Sequence, residues 1–541
     1  MLLAWKYRLI IISRYFRNNV VRVLGIGGLD HNGSMCIVEG GVVKSFVELE
    51  RILRVKNLGF ENTGHVETML DLMVDKPIDV IAIADKHWWN KKRIWLEPLL
   101  EKLIPGAKIA VHNHHICHLS TAFYLSPFED AIALAIDGQG DGISISWSLG
   151  ERDQAIRIMG GQSSKYSLGR LWWGVSEACG FPGHHSAGKT MAYASLGSSS
   201  KFLVDCVKWD GPNFKFVHAD IDDEGWREVS QIKKWAEGLI TKGKIQSLPD
   251  LAANLQELTI HIGTVLATRL SHEYGNKNIC LAGGVALNGL LNQAISELED
   301  IEHVYIPPVT DDRGLSLGAA LQSAIQVGDI PEIQKGFLPY LGPIRESNAY
   351  AESIDFSPVA TGSDAENRIV QLLVEGGLVA WHQGRSEAGP RALCHRSLLA
   401  TPTDKVLSER INLDIKHREW FRPFGCSVKF EDAEDWLLME GDSPYMLRIV
   451  YVVTQMREYV SGIVHIDGTT RPHLVQAEVL PELWSILSRL KELGHPPIVL
   501  NTSLNRRGEP LSETALETFT IAKEMGLDGV YLNGELWMKN V

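Results

Sequence analysis

The feature that most restricts what this chain can fold into is a strand and glycine-turn unit that occurs twice. VRVLGIGGLDHNGSMCIVEGGVVKSFVELE, beginning at Val21, reads as strand, glycine turn, strand, tight Gly40–Gly41 turn, strand. AIALAIDGQGDGISISWSLG, beginning at Ala131, repeats the plan: an apolar strand ends in a polar turn, and Ile143, Ile145 and Trp147 then alternate with period two. Two such openings predict two related lobes. Strand-to-helix junctions at NICLAGGVALNGLLNQAI and VYIPPVTDDRGLSLGAALQSA extend the alternation, so the first part of the chain reads as α/β with ligands at the carboxyl ends of its strands.

The text changes at GFLPYLGPIRESNAYAESIDFSPVATGSD, rich in Pro, Gly and Ser and without lasting periodicity. The expected organisation is an amino-terminal extension over residues 1–21, a first domain over 22–335, a linker over 336–364 and a second α/β domain over 365–541. A formal net charge of −13 argues against a nucleic-acid partner, because phosphate neutralisation needs a basic face. KHWWNKKRIW and the basic, aromatic first twenty residues are read as a solvated loop and an extension. No run approaches the roughly 18 apolar residues of a membrane span. Seven scattered cysteines without a C-x-x-C pair fit reduced thiols, so a cytoplasmic protein without a membrane role is expected. Oligomeric state is not legible.

VHNHHICHLS places His112, His114, His115 and His118 where a short strand gives way to a helix starting near His114. Residues four apart share a helix face, which pairs His114 with His118 and turns His115 about 100° away. Two imidazoles at that spacing are half of a metal site, and the spacing alone also fits a catalytic base or simple crowding. DGQGD adds Asp137 at a strand end with Gly138, Gly140 and Asp141, a turn that lets a phosphate or hydrated cation come close. In GGVALNG, Gly283 and Gly284 admit a base or ribose that Asn288 can hydrogen-bond; Asp312 stands before a small-residue helix.

In the second domain, GRSEAGPRALCHRSLLATP and INLDIKHREWFRPFGCSV carry Arg385, Arg391, Arg396, Lys416, Arg418 and Arg422, and HIDGTTRPH adds Arg471. These cations alternate with Gly, Pro and aromatics, which favours phosphate binding over a solvated face. LNTSLNRRGEP places Asn501, Ser503 and Asn505 at a strand end as polar contacts.

The order H-x-x-x-H, D-G-x-G-D, G-G-x-x-x-N, D-x-G-x-x-x-G resembles the actin-like ATPase (ASKHA) superfamily branch that contains TsaD-type proteins. With the second domain, the chain resembles, from about Val23 to Tyr531, the O-carbamoyltransferase family of the NodU/CmcH type. LGIGGLDHNGSMCIVEGG carries His31 and Ser34, VELERILRVKN ends at Lys56, SAGKTMAYASLG carries Lys189, and GRSEAGPRAL followed by HRS is the most specific block. The resemblance implies a two-lobed actin-like, TsaD-like α/β domain followed by a YrdC-like α/β domain. It implies a divalent metal, Fe2+ with Mn2+ or Zn2+ as alternatives, on His114, His118, Asp137 and Asp312. It also implies ATP with its Mg2+, and carbamoyl phosphate whose carbamoyl group is joined to ATP in the second domain, giving carbamoyl adenylate and pyrophosphate. A small-molecule hydroxyl then accepts the group in the first domain, with His31, Lys56 and His114 at the transfer site. Two positions depart from the pattern: Cys394 where glycine is usual and His473 where glutamine is usual. Transfer to tRNA or a protein thiol, and a non-enzymatic actin-like scaffold, are the competing readings.

Overall fold

The computed structural model describes residues 20–85, 91–217, 228–331, 333, 336–344 and 355–540, and all structural statements concern those residues. Most of the amino-terminal extension, the KHWWN of KHWWNKKRIW and the centre of the expected linker lie outside them.

The first lobe opens with β1 (Arg22–Gly27), β2 (Ser34–Glu39) and β3 (Val42–Glu48), antiparallel in sequence. Gly40 and Gly41, at φ 59° and 76°, make the β2–β3 turn, where two left-handed residues match the strand twist. β4 (Val80–Ala84) runs parallel to β1, and β5 (Lys108–His112) parallel to β4, giving the order β3-β2-β1-β4-β5. The second lobe repeats this step for step: β6 (Asp130–Gly140), β7 (Ile143–Glu151) and β8 (Gly160–Ser163) are antiparallel. After a separate hairpin of β9 (Val207–Asp210) and β10 (Asn213–Phe216), β11 (Asn278–Ala282) and β12 (His303–Tyr305) add in parallel. The order β8-β7-β6-β11-β12 is that of the first lobe, so the doubled opening in the sequence is a doubled sheet topology.

Two helices join the lobes. The helix His114–Tyr124 leaves the first sheet and packs on β6, β7 and β11 of the second; the helix Leu315–Val327 leaves the second and packs on β1, β2 and β4 of the first. Each is buried on nearly every side, as a helix without a polar face must be. They touch each other closely: a Cβ at Gly318 would lie 1.9 Å from the Cys117 carbonyl oxygen. This contact sets His114 and His118 beside Asp312, one turn ahead of the second helix.

The second domain is built on a ten-stranded mixed sheet. Its strands are β13 (Phe356–Thr361), β14 (Val379–His382), β15 (Arg396–Ala400), β16 (Gly425–Lys429), β17 (Leu437–Leu438), β18 (Val450–Val452), β19 (Thr469–Val475), β20 (Ile498–Ser503), β21 (Gly529–Leu532) and β22 (Glu535–Lys539). They lie in the order β13-β22-β21-β14-β15-β20-β16-β19-β18-β17. One face packs Trp381, Leu399, Val499 and Tyr531 with Ile369, Leu373, Ile486 and Leu487 of the helices Gly362–Val374 and Pro481–Glu492; the other packs Leu398, Cys426, Leu500 and Val530. The expected linker is too long: Phe356–Thr361 is the edge strand of this sheet, antiparallel to β22, and a helix starts at Gly362. Pro358 concealed the strand in the sequence, and it is tolerated because an edge strand leaves N–H groups unpaired.

The second domain docks across both lobes. Glu48 accepts the Gly389 N–H at 2.7 Å, Arg51 donates to the Gly389 carbonyl at 2.8 Å, and Arg54 to the Pro510 carbonyl at 3.0 Å. On the other lobe Asn292 donates to the Leu447 carbonyl at 2.7 Å and Arg448 to Gln293 at 2.9 Å. Among the described residues no helix is long and apolar enough to cross a membrane.

Candidate active site

Four side chains meet where the lobes join. His114 and His118 stand one turn apart on the helix that Asn113 caps; Asp137 ends the first straight run of β6; Asp312 lies in the turn before Leu315–Val327. Their ligand atoms lie within 4.8 Å of one another. His114 Nε2 is 3.1 Å from His118 Nε2, 3.5 Å from Asp137 Oδ2 and 3.6 Å from Asp312 Oδ1; His118 Nε2 is 3.4 Å from Asp312 Oδ1 and 4.0 Å from Asp137 Oδ2. Gly140 makes room for this, since a Cβ there would lie 2.1 Å from the His114 ring.

The donors fit a borderline divalent ion. Two neutral imidazoles and two carboxylates balance its charge. Asp85, at φ 79° after β4, lies with Oδ1 3.2 Å from His114 Nδ1, the outer carboxylate that fixes a histidine tautomer with Nε2 turned inward. Without a cation, two buried Nε2 atoms face each other across two acids. Burial opposes charging His114, but Asp312, Asp137 and Asp85 outweigh it and hold its pKa well above the ordinary histidine value. Burial likewise opposes ionising Asp137, yet the hydrogen bond from His114 and the charges of the three histidines hold it well below the ordinary carboxylate range.

The neighbouring residues divide. His115 is a satisfied core histidine, bonded to Ser146 Oγ at 2.8 Å and the Ile143 carbonyl at 3.0 Å; burial first, then the charge of His114, pushes it down to about 3. Asp141 is outside the quartet, and its Oδ2 accepts the His114 backbone N–H at 2.8 Å. Asp137 Oδ1 accepts the Gly284 N–H at 2.9 Å, so the paired glycines hold the acid, with Gly283 left-handed at φ 84°. Gly138 has open space where a side chain would be. Asn288 spends its side chain on the Leu291 N–H and a reciprocal pair with Gln256 at 2.9 and 3.1 Å. His31 stands at the rim, Nε2 3.5 Å from Asp312 Oδ2.

The second centre faces the first domain. Arg391, Arg418, Arg422 and Arg471 are half-buried, and Arg391 Nε, Arg418 Nη2 and Arg471 Nε have no protein partner. Burial and mutual repulsion hold Arg471 well below the ordinary arginine range, with Arg391, Arg418 and Arg422 the named neighbours. Exposed Lys56 of the first domain reaches this group, within electrostatic range of Arg422 as well as Glu50 and Arg313. Lys189 of the first domain pairs with Glu419 at 2.9 Å, and Glu419 also lies 3.7 Å from Arg422.

Not every predicted cation joins the group. Arg385 donates to the Gly342 and Leu341 carbonyls, both at 2.6 Å, pinning the chain that enters the domain. Arg396 gives its guanidinium to the carbonyls of Gln383, Gly384, His395 and Glu513. Ser503 and Asn505 hold Lys416, whose Nζ donates to both their carbonyls at 2.7 Å and to Asn505 Oδ1 at 2.8 Å.

Burial, then Arg418, Lys56 and Arg422, press Lys416 well below the ordinary lysine value of 10.5. A base depressed in the fold costs stability below its unfolded value, and the cost is shed as pH rises through the folded value. The unliganded protein should therefore gain thermal stability toward alkaline pH. Pyrophosphate, by neutralising the group, should flatten that slope and raise Tm by about 3 °C. Calorimetry at stepped pH with and without pyrophosphate measures this; identical curves would count against an anion chamber.

The two departures from the family pattern touch. Cys394 Sγ lies 3.5 Å from His473 Nδ1 and 3.0 Å from Ser427 Oγ, and accepts from Asn501 Nδ2 at 3.1 Å. Burial pushes the thiol up to about 12 and His473 down to about 4, so both are neutral. Cys394 is left-handed at φ 67°, a strain of about 1 kcal/mol for a residue with a Cβ. Cys394→Gly relieves it but loses buried thiol and gains unfolded-chain entropy, so the two should cancel to within about 1 kcal/mol. Cys394→Val, β-branched at positive φ, should cost about 3 kcal/mol or more. Urea denaturation of both variants checks the contrast; equal losses would contradict it.

Five further residues had given no separate signal. Arg313 is buried among Glu48, Glu50, Asp311 and Asn57, with Nε 3.1 Å from Glu48. Glu387 gathers the N–H groups of Leu393, His395 and Arg396, folding the GRSEAGPRAL block around one carboxylate. Asp85 could have been found from IAIAD, which ends its strand as LAID ends at Asp137. Glu48 and Arg51 sat in the quoted VELERILRVKN, but their ties to Gly389 are non-local.

Comparison with known proteins matches residues 83–321 to the model of the carbamoyltransferase N-terminus and residues 370–539 to that of the carbamoyltransferase C-terminus. Nodulation protein U of Bradyrhizobium diazoefficiens is 26% identical over 96% of this chain and 98% of its own length. Nodulation protein NolNO of Sinorhizobium fredii is 26% identical over 94% of this chain and 79% of its own. The 3'-hydroxymethylcephem-O-carbamoyltransferase of Amycolatopsis lactamdurans is 24% identical over 79% of both chains. Among solved structures, full-length HypF in its phosphate- and nucleotide-bound form overlaps 57% of this chain and 47% of its own, at 13% identity and a TM-score of 0.38.

Proposed function

The chain belongs to the carbamoyltransferase family, and from that premise we propose that it makes carbamoyl adenylate at the arginine group and spends it on a hydroxyl of a small natural product at the histidine and carboxylate quartet. The observation that carries this reading is the presence of two unlike centres in domains tied at one junction: unpaired guanidinium donors in one, a cation-type donor set in the other.

Carbamoyl phosphate and water give carbamate and phosphate. A carbamate oxygen attacks the α-phosphorus of Mg2+-bound ATP and expels pyrophosphate. The acceptor hydroxyl then attacks the carbonyl of the resulting mixed anhydride, loses its proton and expels AMP. Arg391, Arg418, Arg422 and Arg471 in the second domain, which begins at β13 and is YrdC-like in this reading, hold the phosphoryl oxygens by parallel N–H donors. Lys56 of the first domain, within electrostatic range of that group, is placed to guide the anionic intermediate. His114, His118, Asp137 and Asp312 would hold a divalent ion, Fe2+ in the first instance. Bound there, it supplies fixed positive charge beside the adenylate. Seven buried free cysteines suit a reducing cytoplasm.

The test is a mass-spectrometric screen of hydroxylated small molecules with the protein, ATP and carbamoyl phosphate. The reading expects a product one carbamoyl unit heavier, with AMP and pyrophosphate released in step. Conversion of ATP to ADP instead would exclude it.

A further inference from the structure

Asp312 does not commit both oxygens to the quartet. Oδ1 faces His114 and His118 at 3.6 and 3.4 Å, whereas Oδ2 is the atom 3.5 Å from His31 Nε2. The His31 ring lies 4.9 Å from that of His184, which in turn lies 3.4 Å from that of His185. His31 comes from the turn between β1 and β2, and the other two from the 3-10 turn His184–Ser186, so unconnected segments of both lobes set His31 against the carboxylate oxygen and line the other two imidazoles up behind it. Among the described residues no protein hydrogen bond holds His184 or His185, and His31 Nδ1 is enclosed without a partner.

We propose that Asp312 is a bridging carboxylate between two cation sites. The second site consists of Asp312 Oδ2, His31 Nε2 and an imidazole of His184 or His185. The inference rests on reading the quartet as a cation centre. The donor chemistry selects a divalent transition ion of the imidazole-preferring class, such as manganese, zinc or iron, over magnesium or calcium. The nearest fixed cation does not forbid it, because Arg313 is already matched by Glu48, Glu50 and Asp311. Two imidazoles and a shared carboxylate leave the ion with net positive charge. The second site is therefore the weaker, with positions left for water or an anionic oxygen. A bridge of this kind sets two ions roughly 3.5–4 Å apart, and the second lies on the solvent side, where an acceptor hydroxyl arrives.

Manganese alone is the probe. The full chain, stripped of metal and titrated with Mn2+, should bind two ions per chain by elemental analysis. Its electron paramagnetic resonance spectrum should show a coupled pair. The double variant His184→Ala, His185→Ala should fold, since both side chains are exposed, and should keep one ion with an uncoupled six-line signal. His118→Ala should lose the tighter ion. Saturation of the wild type at one ion that the double variant retains and His118→Ala loses would overturn the second site and leave the quartet standing. A coupled pair persisting in the double variant would also overturn it. Failure of the wild type to bind any ion would overturn both readings.

Discussion

Arg471→Met is expected to lower carbamoyl-phosphate-dependent exchange of pyrophosphate into ATP by at least about a hundredfold, the usual cost of removing one preorganised donor from developing charge. Arg471 sits on β19, half-buried, with Arg391, Arg418 and Arg422 as its charged neighbours and its Nε unpartnered. Like charges gathered out of water destabilise the fold, so the arrangement is favourable only with an anion among them. Methionine fills much of the volume and removes one repelling charge. The unliganded variant should then melt no lower than the wild type, and by this reasoning higher. Loss of exchange together with an unchanged or raised Tm separates a binding role from a structural one. A variant that exchanges normally would show that the guanidinium holds no phosphoryl oxygen.

Asp137→Asn should reduce transfer to the acceptor by about a thousandfold while leaving pyrophosphate exchange near the wild-type rate. Asp137 Oδ1 already takes the Gly284 N–H, and Oδ2 faces His114 and His118. An amide of the same shape must turn an NH2 group either toward the Gly284 N–H or toward the imidazoles, and it removes one of the two charges that balance a divalent ion. Asp85→Asn acts one step further out, through His114 Nδ1, and should cost metal affinity only about 10- to 100-fold. Equal losses in the two variants would mean that Asp137 contributes no more than an orienting contact.

The local signals proved the most legible. The doubled hairpins became two sheets of one order, and the helix began at His114, because glycine turns, period-two strands and i, i+4 spacing are properties of short segments. Four residues distant in sequence, His114, His118, Asp137 and Asp312, were legible as a set only through their resemblance to a family, and the structure brings them together. Charge was the poorest guide. Arg385, Arg396 and Arg391 read alike in the sequence, yet the first two satisfy backbone carbonyls while Arg391 leaves Nε unpaired, a difference set by which loops close around them. The same blindness hid Arg313 and Glu48, whose bond to each other spans 265 residues. Asn288 looked like a ligand contact and is a helix cap, two uses of the same amide that only the start of the next helix distinguishes.

The central claim is that activation and transfer occupy separate centres. Pyrophosphate exchange and acceptor carbamoylation, measured side by side in His114→Ala protein, test it most directly. The account predicts exchange at close to the wild-type rate with transfer abolished. Loss of both activities in a folded His114→Ala protein, or survival of transfer, would contradict it.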